Sequence, residues 1–176
     1  RLAEAARERF GQVDVVFANA GYGLFAMADQ TTDQQARDIF EANFFGTVRT
    51  INAFLPEMKQ RRDGVVVICS SVCSELSLPG YGFYTATKAA QDGYAGALRA
   101  ELADDGVRVI TVHPTGTKTG FFDAVAERAQ RKDVGLNTPD FMLQPAEHVA
   151  RRIVRAIRRH KPEVWPSRPM RMLAAF

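Results

Sequence analysis

The chain has 176 residues, of which 46% are hydrophobic, and this is sufficient for one domain with a packed core. Its 23 basic residues exceed its 20 acidic residues by three, an excess too small to indicate a nucleic-acid partner. No apolar run is long enough to span a membrane, and the sequence shows no signal-peptide pattern. Cys69 and Cys73 form neither a disulfide framework nor a metal-binding pattern, so we expect a cytoplasmic protein without a metal site.

Helices and strands are predicted to alternate in the first part of the chain. Residues 1–10 are helix formers, and 13–18 has the β-branched and aromatic residues of a short strand. The next helix is predicted from Thr32, where threonine and glutamine have capping-box spacing, to about Met58. Pro56 lies near the end of this predicted helix, where a break costs least.

The rest of the chain continues this alternation. We predict a strand over 65–69, a helix over 84–102, a strand over 107–113, a short helix around 121–130, a helix over 145–159 and a strand at 164–165. Strands that alternate with helices indicate a parallel sheet, and nearly continuous apolar strands indicate helices on both of its faces. The predicted architecture is therefore a three-layer α/β sandwich. Ligands in such sheets bind beyond the carboxyl ends of the strands.

Tyr84 and Lys88 are four residues apart on a predicted helix, so their side chains share one face. A free phenol has a pKa of about 10 and is a poor base at neutral pH. Lowering that pKa by about 3 units requires about 4 kcal/mol, which one ammonium about 4 Å away supplies at an effective dielectric constant of about 20. The pair is therefore sufficient for general acid–base chemistry, although Tyr-x-x-x-Lys alone also occurs as an ordinary pair on a helix surface.

Five short motifs give this pair a context. They are Asn19-Ala20-Gly21, Asn43-Phe44-Phe45-Gly46, Ser71, Tyr84-Thr85-Ala86-Thr87-Lys88 and Pro114-Thr115-Gly116-Thr117-Lys118-Thr119. In this order they resemble the motifs of the classical short-chain dehydrogenases/reductases, in which a strand-end serine lies thirteen residues before the tyrosine, as Ser71 and Tyr84 do. The resemblance covers nearly the whole chain. It implies an NAD(P)-dependent oxidoreductase that interconverts an alcohol and a carbonyl.

The resemblance also implies the fold, a Rossmann-like, doubly wound parallel sheet in one domain over 1–176. The match is partial, because family members carry a first strand with a glycine-rich phosphate loop, and two more strands, before the point that corresponds to Arg1. Since Arg1 also stands inside a helical pattern, we expect the sequence to begin partway through a larger protein, and residues 1–176 alone to be inactive. The residue that selects the cofactor belongs to the preceding part too, so the choice between NAD and NADP stays open.

Four catalytic residues follow from the resemblance. Tyr84 would give or take the proton on the substrate oxygen as a hydride moves to or from the carbon. Ser71 would hydrogen-bond that oxygen and orient it. Lys88 would lower the pKa of Tyr84 and hold the nicotinamide ribose. Asn43, through its backbone, would seat a water that links Lys88 to solvent protons.

The resemblance places cofactor contacts at Tyr84 and Lys88 and after two strands. The contacts after the strands are Asn19, Ala20, Gly21, Pro114, Thr115, Thr117 and Thr119. Gly21 would let the backbone approach the adenine-side ribose, and Thr119 would hydrogen-bond the carboxamide or the pyrophosphate. Asn19 fits a role in bracing the sheet equally well. Thr115 stands where the family usually has glycine, which is a departure from its pattern.

A small apolar ketone or alcohol is the expected substrate. Eight apolar residues flank the expected cleft: Phe25, Leu76, Leu78, Phe83, Phe121, Phe122, Phe141 and Met142. The segment over about 114–142 is long for a connection, so we expect a mobile lid there.

Two other functions fit the same residues. A sugar-nucleotide epimerase uses a similar set of serine, tyrosine and lysine, but the short motif spacing and compact lid favour the dehydrogenase. A catalytically inactive binding or scaffold protein is the second alternative. Small residues along the predicted 84–102 helix indicate a homodimer or homotetramer. The arginines of the predicted 145–159 helix are more typical of a solvated helix face than of a nucleic-acid or membrane surface.

Overall fold

The structure, a computed structural model, describes residues 2–129 and 143–174. In chain order its elements are α1 (Leu2–Phe10), β1 (Val15–Ala18), α2 (Asp33–Phe40), α3 (Gly46–Asn52), α4 (Leu55–Arg61), β2 (Gly64–Cys69), α5 (Gly82–Glu101), β3 (Val107–Val112), β4 (Thr117–Lys118), α6 (Phe121–Ala129), β5 (Gln144–Pro145), α7 (Ala146–Arg159), β6 (Glu163–Val164) and α8 (Arg168–Ala174). The predicted alternation of strands and helices is confirmed. The short strands β4 and β5 and the helix α8 were not predicted.

Four of the strands form a parallel sheet in the order β1-β2-β3-β6. The central strand β2 pairs through Val66 with Val16 of β1 on one side and with Val109 of β3 on the other. Helices lie in each connection between neighbouring strands, which is the crossover arrangement that parallel strands require. The predicted parallel sheet is therefore confirmed.

Helices cover both faces of this sheet. Successive strand residues point to opposite sides, so strands that are apolar throughout present an apolar surface on each face. One face packs against α3, α4 and α5 through the buried residues Val16, Ala18, Ile51, Phe54, Met58, Val66, Ile68, Ala95 and Leu98. The other face packs against α7 through Val65, Val67, Ile110, Val112, Val149, Ile153 and Ala156. The predicted three-layer architecture is confirmed. On this second face, Val15 and Phe17 of β1 remain 41% and 43% exposed.

The single helix predicted from Thr32 to about Met58 is wrong. Its start is correct, since Thr32 and Gln35 form both hydrogen bonds of a capping box. The chain then passes through a π-helical turn at Glu41–Phe45 and breaks again before α4. Pro56 lies in the first turn of α4 and not at the end of a helix. Proline is tolerated there because the missing N–H would have no partner within the first turn.

The arginine-rich helix α7 is strongly amphipathic. Its apolar side packs on the sheet, whereas Arg151, Arg155, Arg158 and Arg159 are exposed. Arg152 is half-buried and donates a hydrogen bond to the Trp165 carbonyl at 3.2 Å. Over the ranges 2–129 and 143–174, no helix is both long enough and apolar enough to cross a membrane.

Candidate active site

Ser71 follows β2 at the carboxyl end of the sheet. Its side chain caps a short 3-10 turn over Val72–Ser74. The Pro114 carbonyl accepts a hydrogen bond from Val72 N at 3.0 Å, which ties this turn to the end of β3. Ser71 is thereby held in a buried position, and its hydroxyl is close enough to the Tyr84 phenol to influence its pKa.

Tyr84 lies in the first turn of α5 and is only 7% exposed. Aromatic rings surround it: the ring centroids of Tyr81 and Phe121 are 6.0 and 5.8 Å from its own. Phe121 belongs to α6, so this helix covers the tyrosine. The phenol is thus enclosed by apolar groups while its hydroxyl contacts Ser71.

Lys88 lies one helical turn beyond Tyr84 on α5, and its Nζ is 5.6 Å from the centroid of the Tyr84 ring. The ammonium donates hydrogen bonds to the Cys69 carbonyl at 2.8 Å and to Gln91 Oε1 at 3.0 Å. The side chain is almost completely buried. The structure therefore brings Ser71, Tyr84 and Lys88 together at one edge of the sheet.

Asn43, in the π-helical turn, connects the loop after β1 to α5. Its Oδ1 accepts a hydrogen bond from Tyr22 N, and its Nδ2 donates one to the Tyr22 carbonyl, both at 2.9 Å. Nδ2 also donates to Thr87 Oγ1 at 3.1 Å. A β carbon at Gly21 would lie 2.8 Å from Asn43 Oδ1, so glycine allows the loop to approach this closely. The backbone at Gly21 therefore lies close to the Asn43 side chain, and its approach to a cofactor ribose stays a prediction.

Sequence reasoning missed the buried residues that surround the Asn43 backbone. The Asn43 carbonyl accepts hydrogen bonds from Thr47 Oγ1 at 2.7 Å and from Gln91 Nε2 at 2.8 Å. These two donors reach the carbonyl through which Asn43 was expected to seat a water, and that role of Asn43 stays a prediction. The available signal was spacing, since Gln91 follows Lys88 by three residues and therefore shares its helix face.

Burial dominates the electrostatics of the site. It raises the pKa of Tyr84 well above its ordinary value, and the hydrogen bond with Ser71 opposes this rise only in part. Burial also lowers the pKa of Lys88, against the opposing effect of Cys69 and other neighbours. The predicted lowering of the Tyr84 pKa is therefore wrong for this chain, because it counted the ammonium and not the loss of water around the phenol. At neutral pH Tyr84 holds its proton.

The residues expected to contact the cofactor border the same end of the sheet. Asn19 and Ala20 are exposed directly after β1. The Thr115 carbonyl accepts a hydrogen bond from Thr117 Oγ1 at 2.8 Å, and the Thr115 hydroxyl contacts the Gln144 side chain. Thr119 Oγ1 accepts a hydrogen bond at 3.3 Å from the first backbone N–H of α6. Contacts of these residues with a cofactor stay predictions.

Half of the predicted pocket residues share one buried apolar cluster with Tyr84. They are Phe25, Leu78, Phe83 and Phe121. The Phe122 ring packs on that of Phe121, with centroids 5.4 Å apart, and Leu76 is half-buried outside the cluster. Phe141 and Met142, like the lid segment 130–142, lie outside the described residues.

A cavity of about 400 Å³ adjoins this cluster beneath α6. Its lining is Leu24, Phe25, Ala26, Met27, Gln30, Gln35, Arg128 and Ala129. The Phe25 ring is 5.4 Å from that of Tyr81, which in turn contacts Tyr84. A cavity lined by both apolar and polar side chains therefore lies two aromatic rings away from the Tyr84 phenol.

The chain is similar in sequence to known proteins. The chain is 35% identical over 113 residues to 3-ketodihydrosphingosine reductase from Bacteroides thetaiotaomicron, an alignment that covers 64% of this chain and 42% of the relative. It is 34% identical over 133 residues to retinol dehydrogenase 8 from Bos taurus, covering 74% of this chain and 42% of the relative. The chain thus spans less than half the length of these two relatives.

A solved structure and a family model agree with this relationship. The alcohol dehydrogenase of the archaeon Thermococcus sibiricus, complexed with 5-hydroxy-NADP, superimposes with a TM-score of 0.73 at 27% identity, over 92% of this chain and 64% of that one. The model of a family described as short chain dehydrogenase matches residues 1–130, a range that contains Asn43, Ser71, Tyr84 and Lys88. The chain belongs to the short-chain dehydrogenase family.

Proposed function

We propose that the protein is an NAD(P)-dependent oxidoreductase that interconverts an alcohol and a carbonyl. One observation carries the proposal: the buried residues Ser71, Tyr84 and Lys88 lie together at the carboxyl end of β2, with the Lys88 ammonium 5.6 Å from the Tyr84 ring. Together these residues supply a hydroxyl to orient a substrate oxygen, a phenol to transfer its proton, and a neighbouring cation.

Tyr84 transfers the proton. In the reducing direction its O–H bond breaks as the proton passes to the carbonyl oxygen, while the carbonyl carbon gains a hydride and becomes an alcohol carbon. A reduced nicotinamide supplies that hydride when bound. The raised pKa of Tyr84 keeps the phenol protonated at neutral pH, which is the form that donates to a carbonyl. Oxidation of an alcohol requires the phenolate and is therefore favoured at higher pH.

The surroundings of Lys88 fit the nicotinamide end of such a cofactor. Cys69 and Gln91 take two of the three N–H donors of the ammonium, and within the described residues the third is left for a ribose hydroxyl. The exposed turn at 19–21 lies at the end of the neighbouring strand, where dinucleotides bind in open α/β sheets. The 5-hydroxy-NADP complex of the Thermococcus sibiricus relative supports the same class of cofactor.

An apolar substrate fits the side chains around Tyr84 best. The cluster around Tyr84 is built from aromatic and aliphatic side chains, whereas the lining of the adjoining cavity also includes the polar residues Gln30, Gln35 and Arg128. Two relatives have names that indicate long apolar substrates, a retinol dehydrogenase and a 3-ketodihydrosphingosine reductase. We therefore propose a ketone or alcohol with an extended hydrocarbon part.

A chain-length series tests this proposal. The complete gene product that contains these residues would be mixed with straight-chain ketones of increasing length and with NADH or NADPH, and oxidation of the cofactor followed by absorbance. We expect turnover with at least one cofactor. We also expect kcat/KM to rise about three- to four-fold per added methylene until the pocket is full, because burying each methylene stabilises the complex by about 0.8 kcal/mol.

The same experiment separates the alternatives. Conversion of a sugar nucleotide without net oxidation of the cofactor would identify an epimerase. Cofactor binding without turnover of any carbonyl or alcohol would identify a binding protein, and either result would overturn the proposed function.

A further inference from the structure

Gln91 is fully buried on α5, and its amide is bonded at both ends. Its Oε1 accepts a hydrogen bond from Lys88 Nζ at 3.0 Å. Its Nε2 donates to the Asn43 carbonyl at 2.8 Å and to Thr47 Oγ1 at 2.7 Å. These partners fix the orientation of the amide, because the reverse orientation would set N–H donors against the ammonium and an oxygen against a carbonyl.

This amide restricts the rotation of the Lys88 ammonium. An ammonium has three N–H donors, and two fixed acceptors, the Cys69 carbonyl and Gln91 Oε1, determine where the third points. We propose that Gln91 is a positioning residue, which holds the Lys88 ammonium in the rotation that directs its third N–H toward the cofactor ribose. The inference rests on the proposed function, because it requires Lys88 to hold that ribose.

Gln91 also donates to the carbonyl through which Asn43 was expected to seat a water. A carbonyl oxygen has two lone pairs, and at Asn43 these are engaged by Thr47 and Gln91. An amide, unlike a water, does not readily accept and pass on a proton. The contact between Asn43 and Lys88 is therefore a fixed bridge, and its function is to orient the ammonium.

Several ionisable groups face Lys88, and Gln91 is neutral among them. Tyr84 and Asp92 approach from α5, Cys69 from β2 and Cys73 from the 3-10 turn. Burial raises the pKa of both thiols, so near neutral pH they carry no charge. Replacing Gln91 with a neutral residue therefore leaves the charge of the site unchanged and tests the hydrogen bonds of its amide.

Two substitutions distinguish positioning from packing. Gln91→Met keeps an unbranched side chain of similar volume but removes the acceptor for Lys88. Gln91→Ala opens a space large enough for a water, with Lys88 Nζ, the Asn43 carbonyl and Thr47 Oγ1 as its partners. A positioning role predicts that the alanine variant works better than the methionine variant. A packing role predicts that alanine, which leaves a cavity, does at least as much harm.

The test compares these variants in the complete gene product, with Thr50→Val as the control. Thr50 makes a similar side-chain bond to a helix carbonyl, at Gly46, remote from Lys88. Affinity for the reduced cofactor that supports turnover, by fluorescence titration, kcat, the pH profile of alcohol oxidation and thermal unfolding would be measured. For Gln91→Met we expect about ten-fold weaker binding of that cofactor, about ten-fold lower kcat and an ascending limb displaced to higher pH. Gln91→Ala and Thr50→Val should stay within about three-fold of the unsubstituted protein.

Wild-type affinity and an unmoved pH profile in Gln91→Met would overturn the inference, as would equal losses in the methionine and alanine variants. If Gln91→Met does not fold, Gln91→Leu, which is also neutral and lacks the acceptor for Lys88, replaces it, and wild-type affinity with an unmoved limb in that variant overturns the inference. Tyr84→Phe is assayed in parallel: full activity there would refute the proposed function, whereas its inactivity beside a normal Gln91→Met would refute the role of Gln91 alone.

Discussion

The Phe121 ring lies 5.8 Å from the Tyr84 ring and helps to exclude water from the phenol. Because burial is the main cause of the raised Tyr84 pKa, Phe121→Ala should admit water and lower that pKa toward its ordinary value. Alcohol oxidation requires the phenolate, so the ascending limb of its pH profile should move to lower pH by about one unit. The measurement is kcat/KM for oxidation as a function of pH in the complete gene product.

Phe122→Ala is the matched control. It removes the same aromatic ring from the neighbouring position of α6, and Phe122 contacts Phe121. Its pH profile should coincide with that of the unsubstituted protein. A Phe121→Ala profile that does not move, or that moves to higher pH, would contradict the account of how burial sets the Tyr84 pKa.

Single residues also show where sequence reasoning succeeds and where it fails. The spacing of Ser71, Tyr84 and Lys88 is a local pattern. It predicts that the three side chains lie together, and in the structure they do. The pKa of Tyr84 depends on Phe121, which is distant in sequence, and no local pattern reveals that burial. The spacing of Gln91 from Lys88 indicates a shared helix face, but its partners Asn43 and Thr47 come from the π-helical turn and α3, which that spacing does not reveal.

At the scale of elements, α5 presents a stripe of small residues to solvent. Its exposed members are Ala86, Ala89, Gly93, Gly96, Ala97 and Ala100. A β carbon added at Gly93 or Gly96 would meet no atom within 4 Å. We propose that a second copy packs here, helix against helix, and forms a homodimer or part of a homotetramer.

Ala97→Glu tests this interface, because it places a charge where a second helix would pack. Sedimentation at micromolar concentration should show a dimer or tetramer for the complete gene product and smaller species for the variant. Gln60→Glu, on the exposed side of α4, adds the same charge elsewhere and should leave assembly unchanged. A strictly monomeric unsubstituted protein would contradict the proposal.

Elements were predicted well where one periodicity ran without interruption, as in β2 and α5. The segment from Thr32 to Met58 has nearly continuous helical periodicity, and for that reason its interruptions were missed. The π-helical turn that contains Asn43 is stabilised by buried tertiary contacts, with Tyr22 on one side and Gln91 on the other. Such contacts leave no mark in local periodicity.

At the scale of the whole molecule, β1 lies at the edge of the described sheet. Its residues Val15 and Phe17 remain 41% and 43% exposed on the face that α7 covers elsewhere. Large apolar side chains on an unpaired strand favour association with other chains. This edge adjoins the turn at 19–21, where the cofactor is proposed to bind.

The exposed side chains of this edge are therefore expected to make a polypeptide of residues 1–176 aggregate at micromolar concentration. Phe17→Lys, which places a charge on the edge, should improve solubility, as judged by light scattering. A polypeptide of residues 1–176 that stays monodisperse at micromolar concentration would contradict this expectation.

Replacing Tyr84 with phenylalanine in the complete gene product tests the central claim most directly. The substitution removes one oxygen, the proposed proton donor, and keeps the aromatic contacts with Tyr81 and Phe121. We expect turnover of the best ketone from the chain-length series to fall by about 1,000-fold, with NADPH affinity within about two-fold of the unsubstituted protein. Turnover within a few-fold of the unsubstituted protein would show that Tyr84 is not the acid, and the proposed mechanism would be wrong.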